Sequence, residues 1–115
     1  MKVNIAKEPH DLQKGLMNQT NFLPLVFVFP KTGRYSMHMK HMKSHIDIFW
    51  ISARGKVVRV YKNVAPSHEY LYPSGSPVKY AIESKPNVIH LDIGDVLDMH
   101  SIMRNNEIPT TFAEK

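Results

Sequence analysis

A chain of 115 residues with no cysteine is one domain, able to bury a single core without disulfides. The lack of thiols excludes cysteine nucleophiles and zinc–thiolate centres, and it suits a reducing compartment. The net charge is +5 with the 7 histidines neutral, and it climbs as pH falls through roughly 6.5. Such a balance favours polyanions or acidic protein surfaces as partners.

The segment from Met1 to Pro9 has no apolar core of signal-peptide length. The apolar runs Leu25 to Phe29 and Ile46 to Ile51 are strand-sized, far short of a membrane span. The expectation is a soluble, non-exported protein, cytoplasmic or within an assembled particle, with no membrane partner and no cofactor.

In chain order, Val3 and Ile5 alternate with polar residues and read as a short first strand. Glu8-Pro9-His10-Asp11 has the marks of a helix start, with Leu12 and Leu16 on one side and Gly15 near the end. Leu25-Val26-Phe27-Val28-Phe29, set between Pro24 and Pro30, reads as a strand covered on both faces. Lys31-Thr32-Gly33 is then a turn. Tyr35, Met37 and Met39 alternate with Ser36, His38 and Lys40 in a further strand. Ile46 to Ser52 and Val57 to Tyr61 form a hairpin about Ala53-Arg54-Gly55-Lys56.

Lys62 to Pro77, with Pro66, Pro73, Gly75 and Pro77, reads as a long irregular loop, a length often tied to function. Val78 to Ser84 alternates again as a strand. Val88 to Leu91 reads as a helical turn, and Val96-Leu97 as a last strand. The expected organisation is a single β-rich domain over residues 1–101 and a polar C-terminal arm over 102–115. Many short strands with one short N-terminal helix predict a mainly β, small, compact barrel-like or sandwich domain. Barrel closure is the more economical form because it removes exposed strand edges.

Several motifs stand in order: Gly15-Leu16-Met17, Leu25 to Pro30, Met39-Lys40, Ile46-Asp47-Ile48-Phe49-Trp50-Ile51, Gly55-Lys56-Val57-Val58, Ala81-Ile82-Glu83 and Ile93-Gly94-Asp95-Val96. Together they resemble domain-of-unknown-function family 192, a widespread group of small bacterial and archaeal proteins. The resemblance implies a β-rich, barrel-like fold and no established activity. Family members usually carry an arginine two positions after Gly-Leu-Met, where Gln19 stands here. They follow Met-Lys with Asn-Thr, where this chain has His41-Met42, and place proline where it has His45. Many also carry an export signal, which is not seen in this chain.

Asp47 lies within an apolar strand, and an acid there must be paired or solvated. One reading makes it part of a polar ligand pocket with Lys40 and Glu83, open to a small anionic or polar ligand. The competing and favoured reading is that Asp47 accepts backbone hydrogen bonds and shapes a loop. His38, His41 and His45 invite a metal reading, but on an extended strand the last two stand about 13 Å apart. Exposed loop histidines explain them more simply. Ser74 and Ser76 lie in turn chemistry, and the chain has no phosphate loop, so an enzyme is not expected.

A basic stripe of Lys31, Arg34, Lys40, Lys43, Arg54, Lys56, Arg59 and Lys62 permits weak nucleic-acid binding, but no recognition signature accompanies it. Tyr70-Leu71-Tyr72 in the loop, with Ile108 and Phe112 in the arm, favour a protein-interaction or assembly role. That role is the first expectation, and the Lys40, Asp47 and Glu83 pocket is the second.

Overall fold

Alternation and breakers set the local structure. The computed structural model describes residues 1–112, apart from the side chain of His68. Its elements are β1 (Asn4–Ala6), α1 (Pro9–Lys14), β2 (Leu25–Gly33), β3 (Ser36–Met39), β4 (Ile46–Ile51), β5 (Val57–Val64), β6 (Ser67–Pro73), β7 (Val78–Ser84) and α2 (Met99–Asn105). A single 3-10 turn spans Thr110–Phe112. In α1, Pro9 occupies the first turn and Gly15 closes the last, with its N–H donating to the Asp11 carbonyl.

Five strands form one sheet in the order β1-β2-β7-β4-β5, and β3 pairs with β6 in a separate ribbon. The β4 strand lies between β7 and β5, and all six of its residues are buried. Its alternation sends Ile46, Ile48 and Trp50 to one face, and Phe49 and Ile51 to the other. The first face packs under Met37, Met39 and Met42 from the β3 region and Leu16 from beyond α1. The second packs under Ile89, Leu91, Leu97, Met99, Ile102 and Ile108. A mainly β, sandwich-like molecule results.

The sheets do not close into a barrel, which corrects the expectation of closure. The edges are managed another way. The outer edge of β5 is met by a bridge between Lys56 and Val96, and Lys2 at the other end pairs with Glu107. Val57 donates to the Asp95 carbonyl and accepts from the Gly94 N–H, so the edge is covered locally. The turn expected at Lys31-Thr32-Gly33 lies inside β2, where the register with β7 slips between Val28 and Gly33. The Lys79 ammonium donates to the Phe29 and Pro30 carbonyls, which satisfies oxygens in that irregular stretch.

Further expectations are revised. Lys62 to Pro77 is not a loop, because β5 runs to Val64 and β6 pairs with β3. The prolines at 66 and 73 bound a strand there and do not interrupt one. Val88 to Leu91 forms no helical turn where one was expected: the chain bends at Val88 and buries Ile89 and Leu91. The expected last strand shrinks to the bridge at Val96. The expected polar arm is, over its described residues, part of the fold: α2 is capped by the Asp98 carboxylate and buries Ile102, and Ile108 is 1% exposed. Residues 113–115 of that arm lie outside the described residues.

Candidate functional site

Register decides what the buried acids can do. Asp47 stands opposite Ser84 in the β4–β7 ladder, whereas Glu83 stands opposite Ile48. Neighbouring residues of a strand point to opposite faces, so the two carboxylates lie on opposite sides of the sheet. They cannot share one ligand.

Asp47 is fully buried and saturated. One oxygen accepts from the Asn63 N–H at 2.7 Å, and the other accepts from the Asn87 N–H at 3.0 Å and pairs with the Lys62 ammonium at 2.8 Å. Both asparagines have left-handed backbones, with φ of 52° and 62°. Asp47 therefore pins two tight bends, one in β5 and one after β7. Lys40 is exposed in the turn after β3, and its backbone N–H donates to His38 Nδ1. The structure brings Lys40, Asp47 and Glu83 to three separate places.

Glu83 is the opposite case to Asp47. Its side chain is buried, with the residue 4% exposed, and no hydrogen bond or ion pair reaches it among the described residues. Burial alone pushes its carboxyl from 4.5 up to about 8. It borders a cavity of about 200 Å³, which opens between α1, the segment after it and β3. The walls are Leu12, Leu16, Met17, Phe27, Met37 and Met42, while the exposed residues Gln13, Lys14, Ser36 and His38 stand around them.

Local structure explains why the cavity is there. Gly15 turns left at φ +50, and a Cβ on it would lie 3.2 Å from the Phe27 ring and 3.4 Å from Glu83 Oε1. A residue without a side chain at the end of α1 thus leaves the carboxyl uncovered. His41, at φ +60, accepts from the Asn18 N–H and ties the β3 turn to the segment after α1. That tie holds Met42 and Met17 on the same opening. Of the motifs noted in the sequence, Gly15-Leu16-Met17 and Ala81-Ile82-Glu83 meet here. In the sequence Met37 reads only as part of an alternating strand and Phe27 only within the Leu25 to Pro30 motif; neither these nor Met42 is singled out there for a site.

His38, His41 and His45 are all exposed, and the described residues contain no cluster of three or more histidine, aspartate or glutamate side chains able to hold a metal. Of the residues expected at an interface, Ile108 lies in the core and Phe112 is half-buried, with its carbonyl accepting from the His90 N–H. Tyr72 is half-buried against Tyr61, edge to face at 5.2 Å. Tyr70 and Leu71 remain outward, 63% and 65% exposed. Among the described residues no helix is long and apolar enough to cross a membrane.

The model of domain-of-unknown-function family 192, described as uncharacterized ACR, matches residues 1–99. None of the curated proteins matches the chain. Two solved structures are similar to it. One, from Sinorhizobium meliloti 1021 and provisionally described as a transcription regulator, is 23% identical with a TM-score of 0.70, over 93% of this chain and 75% of that one. The other, a protein of unknown function from Novosphingobium aromaticivorans DSM 12444, is 20% identical with a TM-score of 0.69, over 73% of this chain and 62% of that one. Likeness at these identities establishes the fold alone.

Proposed function

This chain belongs to domain-of-unknown-function family 192, and from that premise we propose that it is a non-enzymatic binding protein that holds a small ligand against Glu83. One observation carries the reading: the carboxyl of Glu83, a residue only 4% exposed, has no partner among the described residues and borders an open cavity with apolar walls and a polar margin. Buried polar groups are ordinarily hydrogen-bonded, so a carboxyl without a protein partner beside a cavity offers a guest a specific polar contact. The thioethers of Met17, Met37 and Met42 suit holding, since they adapt to a guest and offer no nucleophile. The experiment is a fragment screen followed by amide nitrogen–proton NMR spectra. Shifts are expected to cluster at Gly15, Leu16, Met17, Met37 and Glu83. Binders that shift only amides elsewhere, or no binders at all, would contradict the reading.

A second reading, a protein-interaction or assembly surface, is favoured by Tyr70 and Leu71, consecutive residues of β6 that are both exposed. Its test is the native mass of a variant with both residues changed to serine, where an unchanged assembly state speaks against it.

A further inference from the structure

We propose, resting on that reading of the cavity, that its ligand is a small organic cation: a primary ammonium on a compact apolar body. The floor decides the charge. Glu83 has no protein partner among the described residues: its neutral carboxyl offers one O–H and one acceptor, while its ionised form only accepts. A guest with N–H groups and a positive charge completes the ionised form and holds it there. An anion finds no counter-charge at depth, because the described buried polar residues are Asp47, Ser74, Glu83 and Ser84, with no lysine, arginine or histidine among them. This argues against the anionic ligand considered from sequence.

The walls decide the body. Phe27 and Glu83 both approach the place a Gly15 Cβ would fill, so a guest reaching the carboxyl also meets the ring. The Phe27 face attracts a cation, and the flexible thioethers adapt to the apolar body that carries it. A cavity of about 200 Å³ is somewhat larger than one that holds benzene, which sets the guest near ten non-hydrogen atoms. The charged and titratable groups facing the opening are Lys14 from α1 and His38 from β3, both on exposed residues where water screens them.

Ammonium binding then has a proton signature. Glu83 is largely protonated at pH 7 when the cavity is free, and it must ionise to pair with the cation. The probe is benzylamine, compared with its near-isosteres benzyl alcohol and benzoate by titration calorimetry in two buffers of different ionisation enthalpy. Benzylamine is expected to bind at least roughly tenfold more tightly than either, releasing about one proton per ligand at pH 7. Glu83→Gln is expected to keep the fold and to lose both that preference and the proton release. Equal or tighter binding of benzyl alcohol or benzoate would overturn the cation and leave the cavity reading standing. Failure of all three probes, with no shift at the Gly15 or Met37 amides, would overturn both.

Discussion

Two buried acids one strand apart behave in opposite ways because of what their oxygens meet. Asp47 has three partners, so replacing it with asparagine deletes an ion pair and turns an N–H toward N–H groups. Asp47→Asn is expected to cost about 3 kcal/mol in urea unfolding, with the exposed Lys62 end limiting the loss. A loss below about 0.5 kcal/mol would remove Asp47 from the structural role assigned to it. Glu83 holds a proton in the folded state that the unfolded chain gives up near 4.5. Between those values the folded state binds more protons, so its contribution is full below pH 4.5 and is lost as pH rises toward about 8. The slope is at most about 1.4 kcal/mol per pH unit, and Glu83→Gln should flatten it in urea melts at pH 5 to 8. Asp47 drew notice in the sequence as the one acid in an apolar run. Glu83 was harder to single out because Lys79 shares its alternation and makes that face read as wet. The Lys79 ammonium in fact reaches the β2 carbonyls while Ala81 between them is buried.

At the scale of elements, the last third of the chain is a cover for the second face of the sheet. Its attachment runs through Gly55, where φ is +85 and a Cβ would lie 2.1 Å from the Leu97 carbonyl oxygen. Gly55→Ala is expected to destabilise by about 2–4 kcal/mol, measured by chemical denaturation, and a neutral result would show that the bridge at Val96 is dispensable. Ile108→Ala should cost about 2–5 kcal/mol for the same reason that any core truncation does, with no change in native mass. A changed mass with unchanged stability would return Ile108 to an interface. Strands β1, β3 and β7 were legible because their alternation is regular, and β2 and β4 because they are strand-sized apolar runs. Helix α2 was not: it has seven residues, only Met99 and Ile102 are buried, and so few turns carry little periodic signal. Strand β6 was hidden by the prolines at 66 and 73, which read as loop markers until its pairing with β3 is seen.

At the scale of the molecule, a sandwich-like form was legible and the choice between it and a barrel was not. Strand order depends on long-range pairing, and β1 lying parallel to β2 while β7 inserts between β2 and β4 leaves no trace in local pattern. The same topology sets the site, since it places Gly15 and Glu83 together from opposite thirds of the chain. The central claim is that this meeting leaves a buried carboxyl protonated and unpartnered at neutral pH. The most direct measurement is a carbon-13 NMR titration of the Glu83 side-chain carboxyl in the free protein. A midpoint near 8 is the expected result. A midpoint near the ordinary 4.5 would mean the carboxyl is solvated or already paired, and it would contradict the account.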